Sequence, residues 1–222
     1  MKTLIVHVPR TAGATLRRIV AERVAPDRLH LDYAESPADP RSPCNAAPAE
    51  FAATAAERAN VIADRASVVF GHFPIQKYDT WNALRATVLR DPVERAVSQY
   101  FFWQRMPRRG HPVHEQMLQS RLSVTEFVQL PHITGFYTES FFPRRSIERF
   151  DVVADFARLD VELPRLCAAV GLPAADIPRE NANAGPEYET ALQTFLSDSR
   201  RVAFARDVLA KEIAFYERWA GR

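Results

Sequence analysis

The sequence predicts an α/β fold of three layers, a central, mostly parallel sheet flanked by helices. Two patterns carry that prediction. Apolar runs of strand length, Leu4 to Val8, Ser67 to Phe70 and Leu84 to Leu89, alternate with segments that suit helices. Each run gives way to a turn rich in small residues or proline, at Pro9–Gly13, Gly71–Pro74 and Arg90–Pro92. Strands separated by helices pair in parallel, are covered on both faces, and bind ligands beyond their carboxyl ends. All three turns fall at those ends.

Taken in order, Thr3 to Val8 reads as the first strand and Ala14 to Val24 as the helix after it. Ala34 to Ala49, rich in Pro, Ala and Ser, reads as an irregular loop, and Ala-rich Glu50 to Arg65 as a helix. Ser67 to Phe70 is a buried strand closed by Gly71-His72-Phe73-Pro74, and Leu84 to Leu89 is the next. Pro92 suits the first turn of the following helix, with Asp91 as its N-cap, and that helix runs past Ser98 to about Arg105. Arg108 to Pro112 interrupts the pattern, and short helices are expected at Val113–Arg121 and Val124–Leu130. Phe150 to Ala154 is a candidate strand. Ala157 to Val170 reads as helical, with Gly171 as its C-cap, and Pro164 either kinks that helix or marks its start. Pro178 to Pro186 is a polar loop holding Arg179, Asn181 and Asn183, and Glu187 to Trp219 is amphipathic helix in two pieces. With no internal repeat and no second boundary, residues 1–222 are expected to form one domain.

Lysine and arginine total 29 against 27 acidic residues, a net charge of +2. With a pI near 8.7 the chain is too mildly basic for a dedicated nucleic-acid binder. The only lysines are Lys2, Lys77 and Lys211. The planar fork of arginine suits phosphate or sulfate, although richness in Ala, Arg and Pro equally fits a genomic bias. Cys44 and Cys167 have neither metal-ligand spacing nor a CxxC pattern, so no disulfide framework is expected and a reducing cytoplasm fits. With the first strand read as beginning almost at Met1, no signal peptide is expected. No apolar run approaches the roughly 20 residues needed to span a bilayer.

Three sites carry candidate chemistry. A strand, a tight loop and a helix aim backbone N–H groups and a helix dipole at an anion. Here the loop supplies the amides of Thr11, Ala12, Gly13, Ala14, Thr15 and Leu16, the Thr11 and Thr15 hydroxyls, and the Arg10 cation. It is P-loop-like but not the nucleoside-triphosphate pattern G-x-x-x-x-G-K-[ST], which would need glycine at Val8 and lysine at Ala14. An ordinary β–α turn whose polar residues cap the helix explains the same loop. The second site is Arg90 at a strand end with Ser98 two helical turns beyond it, a pair able to hold a further phosphate. Its alternative is a surface Arg90–Glu94 pair on a capped helix. The third is His72, beside Gly71, which lets backbone approach a ligand closely. His72 is either a general base or a satisfied polar residue.

Together, His7-Val-Pro-Arg-Thr-Ala-Gly-Ala-Thr-Leu16 and Val88-Leu-Arg-Asp-Pro-Val-Glu-Arg-Ala-Val-Ser-Gln-Tyr100 resemble the two signature motifs of PAPS-dependent sulfotransferases. The similarity is closer to the carbohydrate branch, which includes heparan sulfate 2-O-sulfotransferase and its bacterial relatives. It runs from Thr3 to about Phe102 and continues weakly through Phe150–Asp155 and the C-terminal helices. The resemblance implies transfer of a sulfuryl group from 3′-phosphoadenosine 5′-phosphosulfate (PAPS) to a hydroxyl of an acceptor, a carbohydrate or other small molecule. The product would be 3′-phosphoadenosine 5′-phosphate (PAP), and no metal would be required. Residues Arg10 to Leu16 would bind the 5′-phosphosulfate end, and Arg90 and Ser98 the 3′-phosphate. His72 falls where the 2-O-sulfotransferase-like members carry a catalytic histidine. Arg10 stands where the family usually has lysine. Arginine keeps the charge but does not easily donate a proton, so either its role is purely electrostatic or activity is altered.

The Pro178–Pro186 loop, through Arg179, is a candidate cover for the cofactor. The acceptor would lie against the loops Asp32–Ala49 and Arg105–His114. Arg105, Arg108, Arg109, His111 and His114, with Arg144 and Arg145, either hold an anionic acceptor such as an acidic glycan or form a solvated face. Three other readings compete. One is a P-loop kinase, against which the missing glycine and lysine argue. Another is a nucleotide-binding protein without catalysis. The last is an interaction protein presenting Tyr100-Phe101-Phe102-Trp103, a stretch whose helical spacing fits core better.

Overall fold

The computed structural model describes residues 1–172 and 186–222. Its strands are β1 (Lys2–Val6), β2 (Leu29–Asp32), β3 (Val68–Gly71), β4 (Ala83–Leu89) and β5 (Val152–Asp155). They form one sheet in the order β2-β3-β1-β4-β5, and every pairing is parallel. The central strand is β1, with Ile5 in register between Phe70 and Ala86. The helices are α1 (Gly13–Arg23), α2 (Pro43–Ala46), α3 (Pro48–Asn60), α4 (Pro92–Arg105), α5 (Pro112–Gln119), α6 (Val124–Phe127), α7 (Pro131–Thr134), α8 (Leu159–Ala169), α9 (Pro186–Ser197), α10 (Ser199–Val208) and α11 (Ala210–Trp219).

Successive strand residues point to opposite faces, and the core divides accordingly. Ile5, Phe70, Ala86, Val88 and Ala154 pack against Leu16, Ile19 and Val20 of α1 and Leu163, Leu166 and Cys167 of α8. Leu4, Val6, Val69 and Val153 face the other way, onto Ala59 of α3, Tyr78, and the aromatic run Phe136, Tyr137, Phe141 and Phe142. A third cluster is built from α4, α5, α6, α7, α9, α10 and α11. Tyr100 is buried in it, with Phe101 and Trp103 partly buried alongside, so most of that stretch packs inward. The three-layer expectation holds, and the sheet is wholly parallel.

The differences have physical reasons. Leu29–Asp32 is a strand that the sequence did not announce. It pairs only with β3 at the sheet edge, where Leu31 can stay 38% exposed, so it lacks the continuous apolar run of a central strand. The first strand ends at Val6 rather than Val8, although the His7 N–H still donates to the Gly71 carbonyl at 2.8 Å. Pro164 stays inside α8. The C-terminal region is three helices, not two. Residues 136–141 form a π-helix and 143–149 3₁₀ turns, neither of which has a strong sequence period. The loop expected at Pro178–Pro186, with Arg179, Asn181 and Asn183, lies outside the described residues except for Pro186, which opens α9. Among the described residues no helix is long and apolar enough to cross a membrane.

Candidate active site

The three sequence motifs meet at the carboxyl end of the sheet. Leaving β1, the chain turns through Arg10 and Ala12, both left-handed with φ of 72° and 64°. Non-glycine residues seldom adopt this conformation, and it costs on the order of 1 kcal/mol or more each. The turn delivers Gly13 as the first residue of α1. No side chain caps this helix and no acidic residue lies in its first turn. The Thr11 hydroxyl, available for capping, instead donates to the Val8 carbonyl at 2.8 Å. The structure therefore disfavours the reading of the loop as a side-chain-capped turn, and the first N–H groups of α1 keep their affinity for an anion.

Arg10 crosses from this loop to α4. Its Nε donates to Ser98 Oγ at 3.0 Å, and its terminal nitrogen to the Tyr188 hydroxyl at 3.4 Å. The guanidinium lies 4.4 Å over the Phe102 ring. Among the described residues no carboxylate lies within ion-pair distance of Arg10, so its charge is met only by hydroxyls and aromatic faces. Burial lowers its pKa, and the Tyr188 phenol acts in the opposite direction. Ser98 is fully buried and also meets Tyr188, with 2.5 Å between the two oxygens. Tyr188, on α9, is the residue that sequence reasoning missed here.

Arg90 and Ser98 are not brought into direct contact. Asp91 caps α4 as expected, accepting from the N–H groups of Val93 and Glu94. Arg90 Nε donates to Glu94 at 3.2 Å, and its guanidinium sits 4.4 Å over Phe156. Its side chain is only 12% exposed, so this is a half-buried pair rather than a surface one. Tyr137 brackets the Arg90 backbone, donating to its carbonyl and accepting from its N–H.

His72 faces His7. Its Nε2 lies 3.0 Å from His7 Nδ1, and Tyr33 packs edge-on against it at 4.8 Å between ring centroids. Burial pushes the His72 pKa down to about 4. His7 is lowered well below its ordinary value, chiefly by burial, then by His72, Arg10 and Arg17. Both rings are therefore neutral near pH 7. His7 was not singled out from sequence. The available signal was a lone histidine at the end of an apolar strand. Gly71, expected to admit a ligand, instead admits the neighbouring strand, because a Cβ there would lie 1.9 Å from the Asp32 carbonyl oxygen.

The two loops expected to border an acceptor do touch, since His111 Nε2 meets the Ala38 carbonyl at 2.8 Å. The basic stretch between them is dispersed. His114 turns inward to the Trp103 carbonyl, Arg108 pairs with Glu115, and Arg105 stacks on Tyr188 at 4.8 Å. Among the described residues no group of three or more His, Cys, Asp or Glu is placed to hold a metal ion. A cleft of about 290 Å³ opens at the amino ends of the strands, lined by Thr3, Arg28, Ser67 and Gly171 among others. No motif residue lines it, and parallel sheets place ligands at the opposite end.

No protein-family model and no curated protein matches the sequence. Among solved structures, the chain is similar to mouse sulfotransferase SULT7A1 in complex with PAP, at 12% identity and a TM-score of 0.40 over 87% of this chain. It spans 63% of the mouse protein's length. It is also similar to a sulfotransferase from Alicyclobacillus acidocaldarius, at 15% identity and a TM-score of 0.40, covering 98% of this chain and 99% of that one.

Proposed function

We propose that the protein is a PAPS-dependent sulfotransferase acting on a hydroxyl-bearing acceptor, a carbohydrate or other small molecule. The observation that carries the reading is the Arg10–Ser98 hydrogen bond. It joins the two motifs that resemble the family's signatures, at the same end of the sheet as His72. The residues fit a nucleotide with phosphate at two positions. The α1 N-terminus is uncapped, Arg10 lacks a carboxylate partner among the described residues, and Ser98 offers a buried hydroxyl. Arg10 and the amides of Thr11 to Leu16 would hold the 5′ end. Arg90 and Ser98 would hold the 3′-phosphate, Arg90 exchanging Glu94 for it and Ser98 exchanging Tyr188.

When bound, PAPS supplies an activated sulfuryl group, whose transfer to an acceptor hydroxyl breaks its S–O bond to phosphate. His72 accepts the proton of that hydroxyl. Because burial keeps His72 neutral, its lone pair is available at pH 7. An anion held at α1 raises the basicity of both imidazoles by direct attraction. Arg10 and the loop amides balance negative charge on the phosphate side. Arginine stays charged throughout, so its part is electrostatic. A sulfuryl group carries less charge than a phosphoryl group, and this assignment needs no metal. A second reading, nucleotide binding without turnover, is favoured by one feature. Arg10 replaces the usual lysine and is already tied to Ser98 and Tyr188.

Thermal melts with PAP, AMP, ADP and Mg-ATP test the cofactor. A ligand at about 100 times its Kd adds about 2.7 kcal/mol, a shift of roughly 5–10 °C for a chain of this size. Stabilisation by PAP alone is expected. Stabilisation by Mg-ATP instead would point to a kinase, and no response to any nucleotide would sink both readings. His72→Ala should abolish sulfuryl transfer while leaving PAP affinity nearly intact, and retained turnover would remove His72 from the base role. PAP binding without turnover by the wild type would select the second reading.

A further inference from the structure

His72 reaches the site with one of its two ring nitrogens already engaged. Its Nε2 lies 3.0 Å from Nδ1 of His7, with ring centroids 4.5 Å apart and planes tilted by 51°. His7 is itself immobilised. It stacks on Phe70 at 5.5 Å and 19°. On another side its Nε2 edge fills the space over Gly13, where a Cβ would come within 1.5 Å. Tyr33 lies edge-on to both rings, and Phe141 stands edge-on to His72 at 6.4 Å. Below the rings, the His7 N–H donates to the Gly71 carbonyl, which ties together the strand ends that carry the two histidines. Neither ring can turn without giving up these contacts.

Between two neutral imidazoles the facing nitrogens share a single proton, so one donates and the other accepts. If His7 Nδ1–H donated, His72 would keep its own proton on Nδ1 and have no lone pair left for a substrate. If His72 Nε2–H donates to His7 Nδ1, the Nδ1 of His72 is bare. Both rings then carry their proton on Nε2, the tautomer that histidine side chains prefer in water. Intrinsic preference and the requirement for a base therefore favour the same arrangement.

We propose that His7 is a positioning residue that holds His72 in the Nε2–H tautomer and so makes Nδ1 of His72 the proton acceptor. This role rests on the reading of His72 as the general base. Through its contact with Gly13, His7 also places that base directly beside the start of α1, where the anion cradle begins.

Long-range ¹H–¹⁵N correlation spectra of the protein labelled at its six histidines read the tautomers without ligand or turnover, with His72→Gln identifying the His72 signals. The wild type should show His72 protonated at Nε2 and bare at Nδ1. His7→Asn, whose carboxamide oxygen can accept near the position of the lost Nδ1, should keep that pattern. His7→Phe preserves a ring on Phe70 but offers no acceptor, and should turn His72 into a mixture of tautomers. His72 protonated at Nδ1 in the wild type, or unchanged in His7→Phe, would overturn the proposal. If His7→Phe does not fold, the wild-type spectrum alone decides. The base reading fails separately. Undiminished turnover in His72→Ala would refute that reading whatever the spectra show, and the His7–His72 bond would then have no catalytic consequence.

Discussion

Arg10 Nε donates to Ser98 Oγ across 88 residues of sequence, and Tyr188 closes the arrangement by meeting both. In this conformation three groups that suit a phosphate satisfy one another instead. Tyr188→Phe removes one hydroxyl and leaves the ring. Loss of its two bonds, to Arg10 and Ser98, should cost about 1–3 kcal/mol, or roughly 2–12 °C in Tm. Ser98 and Arg10 would be released from Tyr188 while still bonded to each other, so PAP affinity measured by calorimetry should rise several-fold while the free protein melts earlier. A fall in affinity would show that Tyr188 contributes to the ligand rather than standing in for it.

Gly13 is required by space. A Cβ there would overlap the His7 imidazole, 1.5 Å from Nε2. Gly13→Ala should displace His7 and cost about 1–3 kcal/mol by overpacking. In a His7→Ala background the ring is gone and the penalty should largely vanish. Chemical denaturation of the four proteins in that cycle gives the coupling directly, and additive effects would contradict the contact.

Lys77, one of three lysines, is buried between two acids. Its Nζ lies 2.8 Å from Asp32 and 2.7 Å from Glu35. Tyr78 donates to the same Asp32 oxygen, and Arg58 pairs with Glu35. Lys77→Met keeps the stem but leaves Asp32 buried without its cation. Breaking a buried pair in this way costs about 3–5 kcal/mol. A urea midpoint close to that of the wild type would show that the cluster relaxes into solvent.

The same residues show where sequence was and was not legible. The strands β1, β3 and β4, the Asp91 cap and the position of each loop at a strand end follow from apolar runs and turn chemistry, which are local signals. The link from Arg10 to Ser98 depends on a crossover that local patterns do not encode, yet it could be anticipated because both ends carried motifs. Tyr188 lay outside both motifs, and His7, though it opens the first, had no role assigned within it. Tyr188 sits on an ordinary amphipathic helix, and His7 reads as a strand residue until His72, 65 positions away, is seen facing it. Arg90 pairs with Glu94, one turn along α4, as the i, i+4 spacing of opposite charges suggests.

Acid sensitivity follows from the buried histidines. Burial pushes His72 down to about 4, and His132 down to about 3 with His111 and Arg95 adding to the effect. His7 is also strongly lowered. Unfolded histidine titrates near 6.5. A histidine with a depressed folded pKa favours the neutral form in the fold. Its stabilisation is complete above the unfolded pKa and is lost as pH falls below it. Between pH 6.5 and 4 the unfolded state binds these protons and the native state does not, so stability falls with pH. At pH 4.5 the His72 share alone amounts to roughly 2–3 kcal/mol. Glu212 acts in the opposite sense, because burial raises its pKa and its protonation on acidification relieves a cost. It is one group against four, since burial also lowers His30. Melts should therefore give a flat Tm above about pH 7 and a steady decline below 6.5, a slope that His132→Gln reduces. A Tm unchanged from pH 7 to pH 5 would show that these rings are solvated and charge freely in the native state.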